Sequence, residues 1–86
     1  MNIKILITAE KELEKIENPL NKQFGKHIKN LLLKDKYRHL KHGLNYFVEN
    51  ITKQSRLIFY IENETIFIIH CFKTHKEYEK WFKSYK

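Results

Sequence analysis

With 86 residues, the chain is long enough for one domain and too short for a second core. Hydrophobic residues make up 42% of it and it has only two glycines and one proline, which excludes a disordered or linker-like composition. Its formal net charge of +7 favours a polyanionic partner such as nucleic acid, although a soluble protein that is merely basic fits the charge about equally well.

The N-terminal part of the sequence predicts a strand followed by a helical hairpin. Residues 3–7 are few and rich in β-branched side chains, as in a first strand, and Thr8 can cap a helix over residues 9–17. Asn18 then has the form of an N-cap, with proline at the first position of a second helix over residues 19–34. The apolar residues that recur at helical spacing in this second helix are Leu20, Phe24, Ile28, Leu31 and Leu32.

The C-terminal part predicts three strands and a closing helix after an exposed basic loop at residues 35–42. The strands are expected over residues 44–50, 55–62 and 65–73. A two-residue turn at Asn63-Glu64 joins the last two, so this part of the sheet should be antiparallel. Residues 74–77 have the form of a capping box at the start of the helix. The apolar face of that helix is marked by Tyr78, Trp81, Phe82 and Tyr85.

The two-residue turn also predicts which side chains share a face of the last hairpin. Glu62 should lie opposite Thr65 and Arg56 opposite Cys71, because side chains alternate along a strand. The apolar face, expected to pack on the two N-terminal helices, carries Leu57, Phe59, Ile61, Ile66, Ile68 and Phe72. The other face carries Arg56, Ile58, Tyr60, Phe67, Ile69 and Cys71. Arg56 is therefore expected on the face that the helices leave open.

His70 and Cys71 are both expected to be structural residues. His70 falls on the predicted apolar face, where a hydrogen-bonded core histidine is more common than a catalyst. Cys71 is expected to behave as a small apolar side chain, since nothing in the sequence indicates an environment that activates a thiol.

The sequence also predicts where the protein acts. It has one cysteine, no charged-then-apolar leader and no apolar run of about 20 residues, so the chain is expected in the cytoplasm.

The order of elements and several short segments resemble the RelE/ParE toxin superfamily over nearly the whole chain. Leu40-Lys41-His42, followed by Tyr46-Phe47 and by Ser55 to Tyr60, looks like the matching stretch of YoeB-type toxins, in which an arginine opens the third strand. Lys73-Thr74-His75 is similar to the YafQ branch, which has a Thr-His pair after the last strand. The resemblance implies one α+β domain over residues 1–86, with a strand and a helical hairpin packed on a small, mainly antiparallel twisted sheet and a C-terminal helix.

The resemblance also implies a function. Members of this superfamily are type II toxins that enter the ribosomal A site and cleave mRNA, and a cognate antitoxin holds them inactive. An acidic antitoxin would cover the cationic site and exposed aromatic residues such as Tyr60 and Phe67. The ParE branch shares the fold but inhibits DNA gyrase, so a protein binder without chemistry is an alternative, as is an inactive RNA-binding relative.

RNA cleavage without a metal or other cofactor requires a base for the 2′-hydroxyl, a cation at the phosphate and an acid for the leaving oxygen. The resemblance assigns the phosphate to Arg56, whose planar donors suit phosphate oxygens; a cross-strand ion pair with Glu49 is the structural alternative. His75 is the candidate for proton transfer, and an exposed histidine at a helix start is its alternative. The resemblance implies that Tyr78 stacks on a base or donates a proton; packing on the apolar face of the closing helix is its structural alternative.

The sequence departs from the YoeB pattern at two places. Arg38 stands where those proteins carry a glutamate, which removes the obvious carboxylate base. The remaining candidates for a base are His39, His42, His75 and Glu49, and a site of clustered cations such as Arg38 and Lys41 is the other possibility. The closing helix is the second departure, because the YoeB and YafQ branches end soon after their histidine.

Seven basic side chains are expected to bind RNA, and a solvated charge run is the alternative for those in the loop. They are Lys36, Arg38, His39, Lys41, His42, Lys73 and Lys76.

Overall fold

A single sheet forms the centre of the structure, a computed structural model that describes residues 1–40 and 45–84. Its strands within those residues are β1 (Asn2–Ile5), β2 (Arg38–His39), β3 (Phe47–Asn50), β4 (Arg56–Glu62) and β5 (Thr65–Phe72). They are arranged in the order β1-β5-β4-β3-β2, in which β1 is parallel to β5 and the other neighbouring pairs are antiparallel. The predicted α+β fold with a mainly antiparallel sheet is confirmed.

Helices lie on both faces of this sheet. They are α1 (Ile7–Glu14), α2 (Leu20–Asn30), which continues into a 3-10 turn at Leu31–Leu33, and α3 (His75–Lys83). None of the helices within the described residues is long and apolar enough to cross a membrane. The predicted helical hairpin and closing helix are therefore present, and Tyr85, expected on the apolar face of α3, lies outside the described residues.

The N-terminal boundaries differ from the predicted ones. Thr8 lies inside α1 and does not cap it; Leu6 occupies the N-cap without a side-chain hydrogen bond. The reason is that the Leu6 amide still donates to the Ile68 carbonyl of the sheet at 2.9 Å, so the chain enters the helix directly from the strand. At α2, Pro19 occupies the N-cap position predicted for Asn18.

The basic segment predicted as a loop contains the short strand β2. Arg38 pairs with Val48 and His39 with Phe47 of β3, and the Leu40 amide donates to the Tyr46 carbonyl at 2.9 Å. Both β2 side chains are exposed, so the strand presents basic groups at the edge of the sheet.

Two separate cores result. The larger lies between the sheet and helices α1 and α2, and its largest completely buried side chains are Phe24, Leu31, Leu57, Phe59, Ile66 and Ile68. The smaller core lies on the opposite face and consists of Leu40, Val48, Ile58 and Phe72, with Tyr78, Trp81 and Phe82 of α3 packed against it. Helix α3 therefore occupies the face that the helical hairpin leaves open.

The β4-β5 hairpin has the predicted turn and an unpredicted irregularity. Glu62 lies opposite Thr65, and Asn63 and Glu64 have φ angles of 49° and 60°, as the tight two-residue turn requires. Further along, Phe59 pairs with Ile68 but Ile58 pairs with His70, which leaves an extra residue, Ile69, in β5. This is a β-bulge.

The bulge reverses the alternation of side chains in the rest of β5. Phe72 lies opposite Arg56 and Cys71 opposite Leu57, so the predicted Arg56-Cys71 pairing is wrong. The predicted faces of His70, Cys71 and Phe72 are wrong for the same reason, because one extra residue moves every later side chain to the other face. The His70 ring stacks on Phe72 with the centroids 4.7 Å apart and lies 5.3 Å from the ring of Trp81 in α3. Cys71 packs in the larger core and Phe72 under α3.

A carboxylate from α1 stabilises the bulge. Glu12 Oε1 accepts a hydrogen bond from the Cys71 amide at 2.9 Å, and both Glu12 oxygens lie 3.2 Å from His70 Nδ1. The predicted structural role of His70 therefore has a specific partner. Cys71 is buried, and burial raises the pKa of its thiol to about 12, which agrees with its predicted lack of reactivity.

Candidate functional site

A groove with a volume of about 650 Å³ lies between α3 and strands β2, β3 and β4. The predicted site residues that line it are Arg38, His39, Arg56, His75 and Tyr78. Helix α3 closes one side of this groove because Thr74 caps it as predicted: its hydroxyl accepts from the Glu77 amide at 3.2 Å and donates to the Glu77 carboxylate at 2.9 Å. The fold thus brings together residues from three segments of the chain, β2, the start of β4 and α3, that are separated in sequence.

Arg56 is held by the loop that precedes it. Its Nη1 atom donates to the carbonyl oxygens of Thr52, Lys53 and Ser55 at 3.0 to 3.1 Å. Its Cζ atom lies 5.8 Å from the centre of the Tyr78 ring, within range of a cation-π contact. All its hydrogen bonds to the described residues use Nη1, which leaves the Nε and Nη2 donors for an anion in the groove.

Glu49 does not pair with Arg56, so the structural alternative for Arg56, a cross-strand ion pair, is wrong. In the β3-β4 register Glu49 lies opposite Leu57, whereas Arg56 lies opposite Asn50, so the two side chains project from different faces. Glu49 instead contacts His27 at 2.9 Å and Lys34 at 2.5 Å. Burial would raise its pKa, but these two hydrogen bonds outweigh burial and keep the pKa below its ordinary value.

His75 lies at the start of α3 and is paired with a residue that the sequence reasoning missed. Its Nε2 atom is 2.6 Å from Oε1 of Glu79, whose other oxygen lies 3.5 Å from Lys83 Nζ. Its Nδ1 atom is buried and has no hydrogen-bond partner within the described residues. Glu79 and Lys83 also line the groove. The spacing of four residues on a helix was the one signal in the sequence that joined His75 to Glu79.

Tyr78 contributes to both the small core and the groove. Its ring stacks on Phe82 with the centroids 6.0 Å apart and lies 5.8 Å from the imidazole of His75. Burial raises the pKa of its hydroxyl, while the charges of Arg38 and Arg56 act in the opposite direction and Glu79 adds to the rise. The phenol therefore stays protonated at neutral pH.

The other predicted RNA-binding residues are spread around the groove. Lys36 lines a second cleft of about 500 Å³ that shares Arg38 with the groove, and Lys76 lines a third of about 520 Å³ that shares His75, Glu79 and Lys83 with it. Lys73 is exposed at the end of β5. Lys41 and His42 lie outside the described residues. Among residues 1–40 and 45–84, no group of three His, Cys, Asp or Glu side chains is placed to hold a metal ion.

Solved structures resemble this fold, whereas no protein-family model and no curated protein matches the sequence. A YoeB/ParE toxin from Agrobacterium tumefaciens has a TM-score of 0.71 and 16% identity, over 84% of this chain and 96% of that one. The YoeB-YefM complex from Staphylococcus aureus has a TM-score of 0.66 and 20% identity, over 84% and 94%. A metal-bound toxin from Helicobacter pylori has a TM-score of 0.68 and 22% identity, over 90% and 97%. The chain therefore has the fold of the RelE/ParE toxins, which confirms the resemblance indicated by its sequence.

Proposed function

We propose that this protein is the toxin of a type II toxin-antitoxin pair and that it acts in the cytoplasm as an endoribonuclease, cleaving mRNA on the ribosome and inhibiting translation. The observation that carries the proposal is the groove that Arg56, His75 and Tyr78 line together. Two further cationic side chains, Arg38 and Lys83, line the same groove. RNA cleavage through the 2′-hydroxyl uses a cation that binds the phosphate and groups that accept and donate protons. The guanidinium of Arg56 can serve as the cation, and the pair of His75 and Glu79 and the Tyr78 hydroxyl can exchange protons.

Arg56 is the proposed phosphate ligand. Transition-state stabilisation requires donors that are fixed before the negative charge develops, and the three carbonyl contacts of Nη1 fix this side chain. Arg56 lines the groove, and its Nε and Nη2 donors are proposed to bond two non-bridging oxygens of the reacting phosphate there. His75 and Tyr78 act beside it, His75 in proton transfer and Tyr78 as a stacking surface and proton donor.

The clefts on either side of the groove are proposed to bind the RNA backbone. Lys36 lies in one and Lys76 in the other, and Arg38 and His39 lie between them on β2. Phosphate contacts at these positions would hold mRNA or ribosomal RNA without reading its sequence. Lys73, Lys41 and His42 are proposed to extend the same surface.

An acidic antitoxin is the proposed protein partner. The net charge of +7 favours a polyanionic segment, and Tyr60 and Phe67 stack with their centroids 4.8 Å apart on a half-buried part of the sheet. Such a surface suits a segment with both acidic and apolar side chains. Recovery of ribosomes without any small acidic protein from the native host would contradict this part of the proposal.

The direct test is to express the chain under tight control and map the 5′ ends of transcripts, alongside Arg56→Ala. Endonuclease activity predicts new 5′ ends within translated regions, which also form on purified ribosomes and which the variant does not produce. An inhibitor of DNA gyrase would instead leave DNA breaks and intact transcripts. That second function is favoured by one observation, Arg38 in the place of the YoeB glutamate, and this experiment separates the two.

A further inference from the structure

The groove has a carboxylate that the sequence pattern did not indicate. The YoeB-like position for a base holds Arg38, and Glu49 lies on the other face of the sheet, where His27 and Lys34 bind it. Glu79, one turn beyond His75 on α3, lines the groove with Arg56. From its geometry, we infer that Glu79 is the general base of the proposed cleavage and that His75 is a positioning residue that acts through it. This inference rests on the proposed function.

The orientation of His75 supports this division of roles. Its Nε2 atom is 2.6 Å from Glu79 Oε1, so in the neutral ring the Nε2 proton is donated to the carboxylate. Its other nitrogen, Nδ1, is the one that would carry the free lone pair, but that atom is buried. The imidazole therefore holds Glu79 in place and has no second nitrogen exposed to the groove.

Glu79 is accessible where His75 Nδ1 is not. About 43% of its side chain is exposed, and its second oxygen, Oε2, contacts only the flexible end of Lys83 at 3.5 Å within the described residues. A carboxylate with one oxygen fixed and one oxygen open can accept a proton from a hydroxyl bound in the groove. The titratable and charged side chains that line the groove with it are Arg38, His39, Arg56, His75, Tyr78 and Lys83.

The step is an intramolecular transesterification. Glu79 takes the proton of the 2′-hydroxyl as the 2′-oxygen forms a bond to phosphorus, and Arg56 binds the non-bridging oxygens. The bond between phosphorus and the 5′-oxygen breaks, and that oxygen takes the proton of the Tyr78 hydroxyl, the proposed donor. Glu79 then releases its proton to solvent and the Tyr78 phenolate takes one up, which restores both groups. The products are a 2′,3′-cyclic phosphate and a 5′-hydroxyl, and no oxidant, reductant or metal enters the balance.

The experiment compares single-turnover cleavage of mRNA on programmed ribosomes by the wild-type protein, Glu79→Gln and Glu77→Gln. Glu77 is the matched control, because its substitution makes the same charge change on the same helix but outside the groove, and glutamine can still accept the hydrogen bond of the Thr74 hydroxyl in the cap. We expect Glu79→Gln to lower the rate by about 10²- to 10⁴-fold and Glu77→Gln to change it by less than about threefold. In Glu79→Ala, added formate should restore part of the lost rate.

The pH profile separates a base from a merely structural residue. The wild-type rate should rise with pH and then level off once its base is ionised, whereas in Glu79→Gln it should keep rising with hydroxide concentration, because hydroxide replaces the missing base. Glu77→Gln should retain the plateau. A plateau retained in Glu79→Gln would contradict the assignment.

A double-mutant cycle tests the role of His75. We expect His75→Gln to lower the rate by about 10- to 100-fold, and the double variant with Glu79→Gln to be no slower than Glu79→Gln alone, since His75 acts only through the carboxylate. If Glu79→Gln stays within about threefold of wild type, the inference is wrong, and a large effect of His75→Gln would then make the histidine itself the base. If the wild-type protein cuts no RNA, the proposed function fails, and the inference with it.

Discussion

The two faces of the sheet are packed in different ways. Among the described residues, those buried under α1 and α2 form the larger core, and several of them, including Phe24, Leu57 and Ile68, have 0% exposure. Under α3, the buried side chains are those of Val48, Ile58 and Phe72 in the sheet and of Leu40, which follows β2. No residue of α3 itself is buried. One face therefore carries most of the apolar burial that stabilises the domain, and the other keeps polar groups accessible.

This difference separates the residues that stabilise the fold from those proposed to act on RNA. Near the larger core, the Glu12 carboxylate is hydrogen-bonded to the bulge and Glu49 is paired with Lys34, although the buried Oδ1 atom of Asn21 in α2 has no hydrogen-bond partner within the described residues. On the α3 face, the buried Nδ1 of His75 has no partner within the described residues, and Arg56 has unused donors. Substitutions on the α3 face should therefore change activity with little loss of stability, and substitutions on the opposite face should do the reverse.

The largest expected effect is on stability. Phe59→Ala removes a side chain of the larger core that is 1% exposed, and we expect it to lower the free energy of unfolding by about 4 kcal/mol. Phe82→Ala, on half-exposed α3, should cost only about 1 to 2 kcal/mol, because less apolar area is lost. Urea unfolding of both variants measures the difference. Equal losses would show that the two faces contribute alike.

Arg56→Lys tests the α3 face. We expect it to lower the rate of RNA cleavage by about 10²- to 10³-fold, since one ammonium group cannot replace the planar fork at the phosphate. The charge is retained, so its midpoint of thermal unfolding should fall by only a few degrees, as expected for a loss of about 1 kcal/mol from the loop hydrogen bonds. Full cleavage activity of Arg56→Lys would show that a single positive charge is sufficient at this position and that the planar fork is not required.

The sequence was informative where the signal is local. The turn at Asn63-Glu64 and the capping box at Thr74 were predicted because a few adjacent residues determine each one. The bulge in β5 was missed because the Cys71 amide is satisfied by Glu12, 59 positions away, and no local pattern announces this contact. The faces of His70, Cys71 and Phe72 were then assigned wrongly.

The site was predictable to a similar extent. Arg56, His75 and Tyr78 were identified from short segments and do line one groove. Glu79 was missed because it enters the groove only when α3 folds back over the sheet, a tertiary arrangement that the residues of the helix do not determine by themselves. The sequence left open the ion pair with Glu49, the structural alternative for Arg56, because the β3-β4 register determines that the two side chains project from different faces.

A smaller effect is expected from charge reversal at the edge of the sheet. Lys36→Glu combined with Arg38→Glu should weaken ribosome binding by about 10- to 100-fold and flatten its dependence on salt by about two units, one for each lost phosphate contact. Lys11→Glu with Lys15→Glu makes the same charge change on the opposite side of the molecule, on and just after α1. If both pairs weaken binding equally, net charge alone controls affinity and the clefts are a solvated surface.

The smallest expected effect concerns Glu49, which joins α2 to the sheet. The pKa of Glu49 is lowered in the folded protein, so its contribution to stability is complete above its ordinary value of 4.5 and is lost as pH falls through the lower, folded value. Glu49→Gln should therefore reduce the free energy of unfolding by about 1 kcal/mol at pH 7 and by progressively less below pH 4.5. Glu14→Gln is the control, since Glu14 is exposed at the end of α1 and forms no ion pair with another described residue. Urea unfolding of the wild-type protein and both variants between pH 3 and 7 measures these free energies. If the difference between Glu49→Gln and the wild-type protein stays constant down to pH 3, the contacts of Glu49 with Lys34 and His27 do not depend on the carboxylate charge.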